Sequence, residues 1–186
     1  MATAAHGREQ PAMPVRHTAV GTLSAATAGR YVLAGLRLGM GWIFLWAFLD
    51  KLFGFGYSTP GAGSWINGGS PTKGFLSSAA AGPFSGFYHD IAGDGWADWL
   101  FMIGLAGIGL ALLTGIAMRI GTIAGAVLMM MMWSVTLPPT DNPFLDYHVI
   151  FAGLLVALLL LGAGDTLGLH RWWSRTGVVH RFPWLR

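Results

Sequence analysis

Four apolar runs, each close to the length that crosses a bilayer, decide what this chain can fold into. The first extends from about Tyr31 to Phe55 and is broken only by Arg37 until Asp50 and Lys51. The second, WLFMIGLAGIGLALLTGIAM, covers Trp99 to Met118 without a charge, and the third, Ile120 to Leu137, also has none. The fourth, from about Phe144 to Gly164, carries Asp146 and His148 near its start. About 20 residues at about 1.5 Å each match the roughly 30 Å of hydrocarbon in a bilayer. No water is available there for unpaired peptide groups, so these runs are expected to cross as helices. The expectation is an all-α membrane protein: a four-transmembrane-helix bundle with spans at about 31–55, 99–118, 120–137 and 144–164.

Composition supports the same class. Only 10% of the 186 residues are charged and 54% are hydrophobic, whereas a soluble domain is about 25% charged. A nucleic-acid-binding surface would need a basic stripe on a soluble fold, and no nucleic acid is expected as a partner. The chain has no cysteine, which excludes thiolate nucleophiles, disulfides and Cys-ligated metal or iron–sulfur centres. Any redox chemistry must then run through a bound cofactor or a partner. The glycine fingerprint of nucleotide binding and the HExxH and GxSxG motifs are also missing.

The connections organise the rest. Residues 1–29 are rich in Ala, Thr, Gly and Pro and read as a disordered tail. A signal peptide fits them badly, because the apolar run that follows is too long. Residues 30–170 form the membrane domain, and residues 171–186 form a basic, aromatic tail. Arg119 alone separates the second and third runs, so these should be an antiparallel pair. The prolines of Leu137-Pro138-Pro139 should end the third span, and Asn142-Pro143 should cap and start the fourth. The long loop between the first and second spans is rich in Gly, Ser and Pro but also in aromatics. Within it SPTKGFLSSAAAG and PFSGFYHDIAG read as short helices, with Pro71 and Pro83 at their starts, covering one end of the bundle.

Charge sets the orientation. Arg8, Arg16, Arg30, Arg37, Arg119, Arg171, Arg175, Arg181 and Arg186 fall on one side of a four-span protein, nine of the eleven cations, against Lys51 and Lys73 on the other. The acids Asp90, Asp94, Asp98, Asp141 and Asp146 join the second side. The positive-inside rule then puts both termini in the cytoplasm of a multi-pass plasma-membrane protein, with the aromatic loop outside.

Several side chains could carry chemistry. Asp50 and Lys51 lie roughly 30 Å from the start of the first helix, at the outer boundary. Asp146 and His148, with Asn142 and Asp141 just above them, begin the fourth span at the same level. One reading is structural: a snorkelling lysine, a solvated carboxylate and a satisfied histidine. The other makes Lys51, Lys73 and Asn142 a binding group for an anion, with His148 moving a proton alongside Asp50 or Asp146. Arg37 lies roughly 10 Å inside the first span, where a charge is expensive without a partner, and Asp165 is the expected partner in a structural ion pair. No metal site is expected. His89-Asp90 supplies too few ligands, and the consecutive Met129 to Met132 point around the whole helix. Gly35-x-x-x-Gly39 and Gly121-x-x-x-Gly125 would allow close helix approach.

LRLGMGWIFLWAFLDKLFG, with Arg37, Gly39, Gly41 and Lys51, resembles the opening helix of the DoxX/DoxD family of small four-helix membrane proteins. GGSPTKGFL followed by GPFSGFY, and NPFLDYHVIFAGLLVALLLLGAGDTLGL, are similar to its DoxD-type branch. The resemblance covers about residues 31–170. It implies the membrane subunit of a thiosulfate:quinone oxidoreductase, with a quinone as electron acceptor and a second oxidoreductase subunit as partner. The competing class is a non-catalytic membrane anchor or assembly partner for a soluble redox enzyme. A solute transporter fits less well, since four spans leave little room for a central path and no charge sits at mid-bilayer; it would need a homo-oligomer.

Overall fold

The computed structural model describes residues 24–140 and 142–185. Most of the expected N-terminal tail, together with Asp141 and Arg186, lies outside the described residues. Among the described residues the fold is all-helical. In chain order the helices are α1 (Ala25–Phe53), α2 (Lys73–Ala79), α3 (Ser85–Asp90), α4 (Gly95–Thr114), α5 (Met118–Val135), α6 (Tyr147–Leu160), α7 (His170–Trp173) and α8 (Gly177–Arg181). Three of them, α1, α4 and α5, are long and apolar enough to cross a membrane, and α6 is a shorter apolar helix.

The boundaries differ from expectation for local reasons. α1 starts at Ala25, ahead of the expected span, because Ser24 caps it: the Thr27 amide donates to the Ser24 hydroxyl at 3.3 Å. α4 ends at Gly115, which takes the left-handed conformation with φ 74°. The break between α4 and α5 is therefore Gly115-Ile116-Ala117, and Arg119 falls inside the first turn of α5. Asn142-Pro143 does not start the last helix. The Asn142 side chain closes a local turn, accepting from the amides of Phe144 and Leu145. Asp146 is the N-cap instead, and α6 runs for only 14 residues. The loop helices α2 and α3 form where expected, each just after its proline.

Close approaches fix how the helices run. A Cβ on Gly41 would lie 2.9 Å from the Leu113 amide nitrogen, and one on Gly109 would lie 2.8 Å from that of Leu45. These reciprocal glycines bring the backbones of α1 and α4 together antiparallel. A Cβ on Gly121 would lie 2.6 Å from the Ala111 Cβ of α4, and one on Gly125 would crowd Leu155 of α6 and Ile108 of α4. A Cβ on Gly35 or Gly39 would meet nothing within 4 Å, so among the described residues that pair packs against no other helix. Around these contacts Met40, Phe44, Met102, Leu105, Leu112, Leu155 and Leu158 form the core. The outer faces stay apolar: Ile103 is 62% exposed and Ile150 60%. A water-soluble surface would not carry such a belt. Of the four methionines, Met129 enters the core while Met130 and Met131 face outward, as consecutive helical positions require.

At the end where α4 stops, Arg37 is fully buried. Its guanidinium donates to the carbonyls of Leu112 and Leu113 in the last turn of α4, and to those of Thr166 and Leu167 after α6. The expected ion pair with Asp165 is not formed; that carboxylate is exposed. The physical reason is that helix ends leave carbonyls without intrahelical partners and gather partial negative charge. Ala111 O accepts from Gly115, Thr114 O accepts from Leu169, and Arg37 takes the two between. The space for the guanidinium is lined by glycines: a Cβ on Gly115 or Gly168 would lie 3.3 Å from its terminal nitrogens.

The C-terminal tail also folds. The Trp173 indole donates to Leu185 O at 2.7 Å, and Val179 is buried.

Two substitution sets test this packing by thermal unfolding in detergent. Arg37→Lys is expected to cost about 2–4 kcal/mol, because an ammonium cannot reach four carbonyls and each charged hydrogen bond contributes about 1.5–3 kcal/mol. Gly109→Ala should destabilise by about 1–3 kcal/mol through overpacking. Gly153→Ala, which faces nothing within 4 Å, should be neutral or slightly stabilising.

Candidate functional site

The end of the bundle under the aromatic loop gathers most of the expected site residues, on separate hydrogen-bonding nodes.

Asp50 is 1% exposed at the end of α1. It accepts from the Ser58 amide at 2.9 Å, the Ser58 hydroxyl at 2.7 Å and the Tyr57 amide at 3.3 Å. Lys51 donates to the same Ser58 hydroxyl at 3.5 Å and lies over the Phe101 ring, 6.0 Å from its centroid. Adjacent helical residues do not face each other, so Ser58 bridges the two charges. Gly54 permits the return of the chain: its φ is 71°, and a Cβ there would strike Gly61 Cα at 2.6 Å. Asp50 thus folds the first loop over its own helix end.

His148 is 1% exposed and shares the buried face of α6 with Ala152 and Leu155, at four- and seven-residue spacing. Its Nδ1 is 2.6 Å from Asp146 Oδ2. Asp146 Oδ1 accepts from the His148 and Val149 amides at 3.0 and 3.4 Å, and Oδ2 also accepts from the Thr136 hydroxyl. One carboxylate therefore caps α6 and orients the imidazole. With Asp146 ionised, Nδ1 carries a proton. Nε2 is buried with no partner among the described residues. Burial pushes the Asp146 carboxyl up, but the His148 ring and the two backbone amides outweigh it and hold it below the ordinary carboxylate value.

Lys73 and Asn142 are both exposed. Among the described residues no hydrogen bond joins Lys51, Lys73 or Asn142 to the Asp146–His148 dyad. Lys73 begins α2 and lies across Gly93, while Asn142 is occupied by its own turn. The proposed anion-binding group is thus spread along the rim.

Asp98 is not among the site residues that the sequence leads one to expect. It is 6% exposed in the first turn of α4 and accepts from the Ser70 hydroxyl (2.9 Å), the Thr72 hydroxyl (2.6 Å) and the Thr72 amide (3.0 Å). It pins the long loop to the bundle. The available signal was positional, an acid in the first turn of an apolar helix. Tyr88 of α3 completes the attachment, its hydroxyl 2.6 Å from that of Ser134 on α5.

An apolar groove opens on the outside between α5 and α6. Its lining includes Val127, Met130, Met131, Ser134, Val149 and Gly153. Among the described residues no group of three His or acidic side chains could hold a metal. Searches against protein-family models, curated proteins and solved structures return no match.

The dyad makes a pH prediction. A carboxyl with a depressed folded-state value stabilises the fold fully above its unfolded value of about 3.9 and loses that contribution as pH falls through the lower folded value. Asp146→Asn should therefore be less stable than the parent at neutral pH, and the difference should shrink as pH falls below about 4. Chemical unfolding in detergent across pH 3–7 measures it.

Proposed function

We propose that this chain is a multi-pass protein of the plasma membrane in which α1, α4, α5 and α6 cross the bilayer and both termini are cytoplasmic. We further propose that it is the membrane subunit of a quinone-linked oxidoreductase of the thiosulfate:quinone type. The observation that carries the chemical half is the Asp146–His148 dyad. A buried imidazole held by a carboxylate, with its second nitrogen unengaged, is a group able to give or take a proton. The α5–α6 groove supports the quinone half. It is apolar, open toward lipid, and lined by Val149, next to His148, and by Ser134, two residues from Thr136. Thiosulfate as donor rests on the resemblance of the first, loop and fourth-span segments to DoxD-type proteins. Lys51 and Lys73 supply positive charge at that end.

Two thiosulfate ions would join through a new S–S bond as tetrathionate and release two electrons. The quinone would take those electrons and two protons to become a quinol, with His148 as the protein group nearest to that proton traffic. A second oxidoreductase subunit would complete the enzyme, and association of several copies is compatible with the apolar outer faces.

The non-catalytic anchor reading keeps one observation in its favour. Asp50, Asp98 and Arg37 are all engaged within the fold, so much of the buried polarity serves structure.

The deciding measurement is quinone reduction by thiosulfate in membranes with and without the protein. Dependence on the protein is expected, with His148→Gln and Lys51→Ala each lowering the rate by about 100-fold or more. Activity retained in either variant removes that residue from the mechanism, and no protein-dependent rate leaves the anchor reading. Orientation is tested separately. Because the chain has no cysteine, Ser77→Cys should react with an impermeant reagent from outside and Ser174→Cys only after permeabilisation.

A further inference from the structure

The outer groove between α5 and α6 holds about 620 Å³ of space. On α5 its wall is Val127, Met130, Met131 and Ser134, at three-, four- and seven-residue spacing, so these side chains share one helix face. The facing row on α6 runs from Val149 to Val156 over the same seven-residue interval. This wall is surface and not core: Val127 is 55% exposed and Val156 46%. Ser134, half-buried at the outer end of its row, carries the only polar side chain among the described lining residues. We propose that the groove binds a quinol in preference to the matching quinone, with the Ser134 hydroxyl oxygen accepting a hydrogen bond from a quinol hydroxyl. The inference rests on the reading of this groove as a quinone site and adds which redox form it selects.

The hydrogen-bond inventory carries the selection. A serine or tyrosine hydroxyl has one hydrogen to donate and lone pairs that accept. Ser134 Oγ donates to Met131 O at 2.7 Å, and the Tyr88 hydroxyl lies 2.6 Å from Ser134 Oγ. With the serine hydrogen on Met131 O, the tyrosine donates to Oγ. In the reverse arrangement the serine donates to the tyrosine oxygen, and the tyrosine donates to Met131 O at 3.4 Å. Either way both hydrogens are engaged within the protein, and Oγ keeps a lone pair. The groove therefore offers an acceptor and no free donor. A quinone carbonyl is also an acceptor, so meeting it would break an internal bond. A quinol hydroxyl is a donor and completes the set.

The dimensions agree with such a ligand. Seven residues of helix separate Ser134 from Val127, roughly 10 Å. A ring at the Ser134 end lies beside Val149, the neighbour of His148, and its hydrocarbon chain follows the apolar wall. Holding the reduced form more tightly shifts the bound couple toward quinol, the direction the proposed activity requires.

Competition for retention tests this without turnover. Full-length protein in phosphatidylcholine nanodiscs is loaded anaerobically with equal amounts of a decyl-substituted quinol, the matching quinone and the quinol's dimethyl ether. Bound species are read by native mass spectrometry. Wild type is expected to keep the quinol over both competitors by roughly three- to tenfold, the effect of one hydrogen bond. Ser134→Ala should remove that preference, and Tyr88→Phe, which leaves Oγ both lone pairs, should keep it. Gly153→Leu should lower retention of all three, because Gly153 lines the groove and a Cβ there meets nothing within 4 Å. Melting curves identify any variant that fails to fold, and the wild-type comparison of quinol with ether needs no variant. Equal retention of quinol and ether in wild type overturns the proposal. So does an unchanged preference in Ser134→Ala, or phospholipid retained in place of all three. No thiosulfate is present in this readout. Equal retention beside intact thiosulfate-dependent quinone reduction sinks this inference alone, whereas a quinol preference without that reduction supports the groove's selectivity and sinks the oxidoreductase reading.

Discussion

The fold depends on where its unpaired carbonyls go. α4 ends and the chain after α6 unwinds at the same level, and both leave backbone oxygens that a hydrocarbon environment cannot satisfy. A single buried guanidinium, Arg37, reaches from α1 to both. Five donors in a planar fork make arginine suited to this. The residue also ties three segments far apart in sequence into one unit. Irregular backbone away from water is tolerated where protein groups satisfy it, and here one side chain meets four of those carbonyls while the Gly115 and Leu169 amides meet two more.

The other end repeats the theme with carboxylates. Asp50 closes the chain back over α1, Asp98 pins the Ser70–Thr72 segment to α4, and Asp146 starts α6. Each serves the backbone first. What sets Asp146 apart is that it also holds His148, whose remaining nitrogen is left for something else. The functional reading concentrates on that dyad because the other buried acids, Asp50 and Asp98, bond to loop groups alone.

The helices were legible in the sequence because apolar runs of bilayer length admit few alternatives, and the two short loop helices were legible through their prolines. Their ends were less so. Gly115 rather than Arg119 makes the turn, since a left-handed position selects glycine whatever charge stands nearby. Asp146 rather than Asn142 caps α6, since both residue types suit a cap and only the path of the chain decides. The Arg37–Asp165 pair was a reasonable expectation for a charge inside a span. It failed because carbonyls at a helix end compete with a carboxylate for arginine, and sequence spacing does not reveal which carbonyls converge. Asp146 and His148, two residues apart at a helix start, were legible as neighbours. The attachment of Asp98 to Thr72 was not, because it joins residues separated by a loop of unspecified path.

The double duty of Asp146 has a mechanical side. The oxygen that holds the imidazole and the oxygen that starts α6 belong to one group, so neither bond can change without disturbing the other. A proton arriving on that carboxylate would loosen the ring and fray the first turn together. Chemistry at the rim would then be felt as strain along the helix that lines the apolar outer cleft.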